Sequence, residues 1–194
     1  MKLLLYGGTF DPPHLGHINN LTAAIEAVQP DRVVVMPAGI PPHKKASATP
    51  GAVRLAMCQC FLPLHPQMEV SGWEIGQGGR SFTVDTVAML KSRYPGARIY
   101  LCIGSDMLLT FTTWRSWQTL LRDVVLVVQS REVGDENALE EAAAALRAEG
   151  GTILFARAPA LECSSSDVRA GLVPWEMLPP LVQAVAEQHH LYGR

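Results

Sequence analysis

Residues 7–17 read Gly-Gly-Thr-Phe-Asp-Pro-Pro-His-Leu-Gly-His, directly after the apolar run Leu3-Leu4-Leu5-Tyr6. Glycines let backbone amides approach an anion, prolines stiffen a turn, and the spacing of His14 and His17 puts them on one face of a helix's first turn. A helix start adds the positive end of its dipole and N–H groups without helical partners. Together these groups can hold a chain of phosphates and stabilise charge developing at a reacting phosphorus. Two histidines so spaced can also be metal ligands, but no Cys, Asp or Glu stands at a matching helical position to complete a zinc set. The loop fits neither Gly-x-Gly-x-x-Gly nor Gly-x4-Gly-Lys-Ser/Thr, which sets aside dehydrogenases and P-loop ATPases that depend on those loops.

Further clusters carry candidate chemistry. In Cys163-Ser164-Ser165-Ser166-Asp167-Val168-Arg169, the hydroxyls can cap a helix; alternatively, Arg169, one turn after Ser165 and Ser166, can join them in a patch for a phosphate tail. Pro41-Pro42-His43-Lys44 offers cations able to close over phosphates, or an ordinary solvated loop. Ser81-Phe82-Thr83-Val84-Asp85-Thr86 opens a helical pattern in which Thr83 and Thr86 can donate hydroxyls. Ile103-Gly104-Ser105-Asp106 puts a carboxylate on a strand-end turn, the usual partner of ribose hydroxyls in α/β folds. Trp114 and Trp117 in Thr-Thr-Trp-Arg-Ser-Trp are denser than a plain surface helix needs, and one of them suits the core.

The elements that must position these residues can be read from periodicity. Apolar, β-branched runs at 2–6, 32–36, 68–71, 98–103, 124–129 and 152–156 predict strands. Helical patterns at 16–28, 52–61, 83–94, 137–148 and 180–190 fill the gaps, the fourth as a solvated outer helix. Alternation of this kind predicts a doubly wound parallel α/β sheet with ligands beyond the strand C-terminal ends. Two connections, 38–51 and 72–81, exceed what packing needs, and long loops at that edge are usually functional.

With 194 residues, 48% hydrophobic, the chain suits one compact domain spanning 1–194. A net charge of −2 with no basic block beyond Lys44-Lys45 leaves nucleic-acid binding without an electrostatic footprint. Cys58, Cys60, Cys102 and Cys163 form no Cys-x-x-Cys pair, a usage that suits a reducing compartment, and a cytoplasmic protein is expected. No apolar stretch approaches the ~20 residues that span a bilayer, so membrane insertion is not expected.

The eleven-residue stretch resembles the His-x-Gly-His signature of the nucleotidylyltransferase superfamily, in the longer form of the bacterial nicotinate-nucleotide adenylyltransferases. Cys163 to Arg169 is similar to the superfamily's Ile-Ser-Ser-Thr-x-x-Arg, with Cys163 for Ile and Ser166 for Thr; Ser81 to Thr86 is similar to Ser-Tyr-Thr-x-Asp-Thr, with Phe82 for Tyr. Pro41 to Lys44 and the closing stretch from Leu178 to Tyr192 also resemble the family, leaving only 137–148 without a signature. The resemblance implies a Rossmann-like nucleotidylyltransferase fold that joins ATP to nicotinate mononucleotide, giving the dinucleotide and pyrophosphate. It assigns the α and β phosphates to His14 and His17, helped by backbone N–H groups at Gly8, Thr9 and Phe10. Arg169, Ser165 and Ser166 take the leaving pyrophosphate, and Gly104 and Asp106 complete the ATP site. His43, Lys44, Thr83, Thr86 and Trp114 face the mononucleotide, Trp114 stacking on the pyridine ring. Mg²⁺ is expected to accompany ATP, held by phosphates and water rather than by protein side chains. A preference for nicotinamide mononucleotide, or a non-catalytic nucleotide sensor of the same fold, stays open at this level; oligomeric state is not legible.

Overall fold

The computed structural model describes residues 1–40, 47–130, 136–159, 161 and 163–194. In chain order the strands are β1 (Lys2–Gly8), β2 (Arg32–Pro37), β3 (Met68–Val70), β4 (Arg98–Gly104), β5 (Val124–Ser130) and β6 (Thr152–Arg157). The helices are α1 (Leu15–Val28), α2 (Gly51–Met57), α3 (Trp73–Gly76), α4 (Thr83–Arg93), α5 (Ser105–Leu109), α6 (Trp117–Asp123), α7 (Glu136–Ala148), α8 (Ser165–Arg169) and α9 (Pro180–Gln188).

The six strands form one sheet in the order β3-β2-β1-β4-β5-β6. β1 with β4, β4 with β5 and β5 with β6 pair in parallel, from Lys2 opposite Arg98 to Tyr6 opposite Cys102 in the first pair. Consecutive buried residues such as Leu3, Leu4 and Leu5 show that both faces are covered, as a parallel sheet requires. The strand order reverses direction at β1, and its C-terminal end feeds the glycine and histidine loop. The expected parallel α/β sheet is therefore the observed one.

The backbone divides into two compact units. One comprises Met1–Tyr6, Asn20–Val33 and Phe82–Ala160. Within it, Lys2 Nζ donates to the Val28 carbonyl at 2.8 Å and its backbone N–H to Asp31 at 2.6 Å, tying the end of α1 to the start of β1. Leu139, Ala143 and Leu146 form the buried stripe of α7, with Glu140 and Glu141 outward, so that helix is amphipathic as its composition suggests.

The other unit comprises Gly7–Asn19, Val34–Ser81 and Leu161–Arg194. Its core packs Val53 and Met57 of α2 with Cys163, Val168, Leu178 and Val182. Two expectations fail here. The helix read at 52–61 stops at Met57 and continues as a 3₁₀ helix, Cys58–Leu64, because Pro63 lacks an N–H and its ring crowds the carbonyl four residues back. The connection read as a loop at 72–81 contains α3, too short to show helical periodicity.

Candidate active site

Most candidate residues fall in the second unit, where the loop after β1 organises them. His14 immediately precedes α1: its carbonyl accepts from the N–H groups of His17 at 2.9 Å and Ile18 at 3.2 Å. The expectation that both histidines lie within the first turn is corrected, since His14 is the cap and His17 the third helical residue. His14's own N–H donates to His17 Nδ1 at 3.2 Å, a reciprocal arrangement like a capping box with imidazole in place of carboxylate. Because Nδ1 accepts, the neutral ring carries its proton on Nε2 and presents a donor there. The two rings lie 3.8 Å apart between centroids at 40°.

Glycines make this packing possible. A Cβ on Gly16 would sit 2.9 Å from His14 Nδ1, and one on Gly8 would sit 2.8 Å from the Phe10 ring. Phe10, with a left-handed φ of 50°, folds its buried ring against Phe61 and edge-on to His17, 5.2 Å between centroids. Its side chain therefore supports His17.

Asp11 is the junction that the sequence reading missed. Its carboxylate accepts from Ser47 Oγ at 2.5 Å and Tyr192 Oη at 2.6 Å, and its backbone carbonyl accepts from Arg169 Nη1 at 2.6 Å. Burial pushes the carboxyl pKa up, but hydrogen bonds from Ser47, Thr49 and Tyr192, with the Arg169 charge, bring it below its ordinary value. Burial, together with that anion, raises the Tyr192 phenol in turn. Asp11 lies inside the motif, but nothing in its spacing discloses partners 36 and 181 positions away.

The serine cluster divides its work. Ser164 caps α8 by accepting from the Asp167 N–H at 3.1 Å, and Ser165 Oγ donates to the Pro12 carbonyl at 2.9 Å. Arg169 Nη2 donates to Ser166 Oγ at 3.1 Å, and both residues are exposed. Arg169 and Ser166 are thus brought together as their spacing predicts, and Arg169 also reaches the loop that carries His14. Ser165 has its hydroxyl proton engaged within the protein. Arg54, also missed, is a buried cation on α2 whose guanidinium bonds four backbone carbonyls; a lone arginine in Gly-Ala-Val-Arg-Leu-Ala-Met was its only sequence signal.

The remaining candidates belong to the first unit, except His43 and Lys44, which lie outside the described residues. Thr83 is the first residue of α4 and half-buried, while Thr86 is buried in its packed face. Gly104 ends β4, and Asp106 lies exposed in the first turn of α5. This corrects the expected strand-end turn, because α5 starts without any intervening residue. Trp114 is half-buried against Phe111, with centroids 5.3 Å apart; Phe111, not a tryptophan, is the fully buried aromatic of this stretch. Among the described residues no three His, Cys, Asp or Glu side chains gather into a metal-holding group. No helix is long and apolar enough to cross a membrane, again among the described residues.

Comparison with known proteins bears on the family and the fold. The family described as cytidylyltransferase-like matches residues 5–171, running through both units. A protein of Acidithiobacillus ferrooxidans named "Probable nicotinate-nucleotide adenylyltransferase" is 35% identical, covering 98% of this chain and 95% of its own. A protein of Neisseria meningitidis serogroup C with the same name is 34% identical over 100% and 99% of the two chains. Among solved structures, Plasmodium falciparum nicotinic acid mononucleotide adenylyltransferase complexed with APC superposes with a TM-score of 0.77 at 18% identity, covering 98% of this chain and 96% of that one. The same enzyme complexed with NaAD gives 0.76 at 17%, covering 98% and 97%. These two share the fold.

Proposed function

Because the chain belongs to the nicotinate-nucleotide adenylyltransferases, within the cytidylyltransferase-like family, we propose that it transfers the adenylyl group of ATP to nicotinate mononucleotide, a step of NAD synthesis. A phosphate oxygen of the mononucleotide bonds to the α-phosphorus of ATP as the bond to the β-phosphate oxygen breaks. Pyrophosphate leaves with the electron pair, and nicotinate adenine dinucleotide remains. The attacking phosphate is already an anion, so the protein's task is to position it and neutralise charge rather than to remove a proton.

The observation that carries the reading is the joining of two cationic or donor groups on one loop. The rings of His14 and His17 lie against each other at the start of α1, and Arg169 is bonded to Asp11, three residues before His14. We assign His14 and the Nε2 donor of His17 to the α and β phosphates, with backbone N–H groups of Gly8, Thr9 and Phe10. Arg169 and Ser166 hold the departing pyrophosphate, with Ser165 either acting through its bond to the loop or giving up that bond to turn its hydroxyl to the phosphates. Gly104 and Asp106 are assigned to the nucleoside of ATP, Thr83, Thr86 and Trp114 to the mononucleotide, and His43 and Lys44 to its phosphate. Mg²⁺ enters as part of the ATP substrate; imidazole and guanidinium donors suit phosphate oxygens, and the hard cation is left to phosphates and water. We read both units as one domain, a reading supported by the family match across them. A cytoplasmic location is supported by four free cysteines, of which Cys60 and Cys102 are each raised to about 12, chiefly by burial.

Pyrophosphate release with Mg·ATP and, in parallel, nicotinate mononucleotide, nicotinamide mononucleotide or phosphopantetheine tests the reading. Turnover is expected to be fastest with the nicotinate compound. Preference for the amide would reassign the substrate, and silence with all three would leave a nucleotide sensor.

A further inference from the structure

Arg54 is a charged group that the proposed chemistry does not use, yet it is only 3% exposed. Nη1 donates to the carbonyls of Thr9 at 2.8 Å and Ala38 at 2.7 Å, Nη2 to Gly39 at 3.2 Å, and Nε to Thr49 at 3.3 Å. One planar fork therefore gathers the segment after β1, the segment after β2 and the approach to α2. Burying a guanidinium costs desolvation energy, and four carbonyl bonds offset it only if they fix something the fold needs fixed.

What they fix is the direction of peptides. In a trans peptide the carbonyl and the following N–H point to opposite sides. With the Thr9 carbonyl held on Arg54, the Phe10 N–H faces away from α2. The same logic appears at Gly39, whose carbonyl is on Arg54 and whose N–H donates to Ser81 Oγ at 3.0 Å. Phe10 occupies the left-handed region at φ 50°, which costs an L-residue roughly 1–2 kcal/mol and relaxes unless neighbours hold it.

We propose that Arg54 is a positioning residue for adenylyl transfer: by clamping the Thr9, Ala38, Gly39 and Thr49 carbonyls, it holds the Thr9-Phe10 peptide with its N–H presented to the nucleotide phosphates. This rests on the adenylyltransferase reading above. Lysine cannot replace the clamp, since an ammonium has three tetrahedral donors where four carbonyls are met by a planar fork.

Steady-state kinetics of Arg54→Lys and Arg54→Ala, beside melting curves, give the first test. Folded Arg54→Lys should lose ~10–100-fold in kcat, as expected when reacting groups are held slightly out of place, with KM for the mononucleotide changed less than about threefold. Millimolar guanidinium should restore part of the Arg54→Ala rate, while equal sodium chloride should not. A folded Arg54→Lys with wild-type kcat, or an Arg54→Ala that guanidinium leaves unchanged, overturns the proposal. The wild type supplies a test independent of variant folding: the Phe10 amide proton should move downfield in NMR spectra when a non-hydrolysable ATP analogue is added. An unmoved Phe10 resonance also overturns the proposal. In a wild type that releases no pyrophosphate the adenylyltransferase reading falls by itself, and the clamp then stands if the Phe10 shift is lost in Arg54→Lys and falls if it persists.

Discussion

Two groups of candidate residues, one in each unit, are held by different kinds of bond. Around the loop after β1 the holding bonds span the sequence: Asp11 to Ser47, Tyr192 and Arg169, and Ser165 to Pro12. Around Asp106 and Trp114 the hydrogen bonds are local, Thr110 Oγ1 donating to the Asp106 carbonyl at 3.0 Å and Thr113 Oγ1 to that of Thr110 at 2.7 Å; Trp114 leans on Phe111, and a longer-range contact is that of the exposed Arg115, 3.9 Å from Asp85. The first pattern fixes donors before any ligand arrives, which is what stabilising a charged transition state demands. The second supports Trp114 by packing on the buried Phe111, which suits a flat ring whose grip is mostly surface contact.

That contrast can be broken most sharply at His17. Replacing it with alanine should cut turnover by ~10²–10³-fold, the usual cost of one preorganised donor to a developing charge. A variant turning over near the wild-type rate would remove the imidazoles from the mechanism. Next comes the long-range scaffold itself. Tyr192→Phe leaves Asp11 short of one donor and should lower stability by about 1.5–3 kcal/mol at neutral pH, the range for a hydrogen bond to a charged group. The Asp11 carboxyl titrates below its ordinary value, so the stabilisation is complete above the unfolded pKa and lost as pH falls through the folded one. The gap between wild type and variant in denaturant melts should therefore narrow in acid; a gap constant with pH would mean that Tyr192 acts by packing alone. The smallest effect should be in the second group, where Trp114→Ala is expected to weaken mononucleotide binding by about 0.5–1.5 kcal/mol and ATP binding less. Calorimetric titrations showing equal losses for both ligands would erase the distinction between the two groups.

What was legible in the sequence follows the same division. Parallel strands announce themselves as β-branched apolar runs, so the sheet could be read, and the His14–His17 and Ser166–Arg169 pairs could be read because helical spacing is itself geometry. Arg54, Asp11 and Tyr192 could not. Their partners are backbone carbonyls, hydroxyls and a carboxylate at irregular separations, from 5 positions to 181, and such bonds leave no period in the sequence. Short elements were missed for a related reason: α3 and the 3₁₀ segment after Met57 are shaped by Pro63 and tertiary packing, over lengths at which helical periodicity has no room to show.

The bond from Tyr192 to Asp11 also imposes an order in time. A ribosome adds ~5–20 residues per second, so Tyr192 is made roughly 10–40 s after Asp11, 181 positions earlier. Throughout that interval the nascent chain carries the histidine loop without Tyr192, held at most by nearer partners such as Ser47 and Arg54. The most distinctive stretch of the protein is thus synthesised well before it can take its working form.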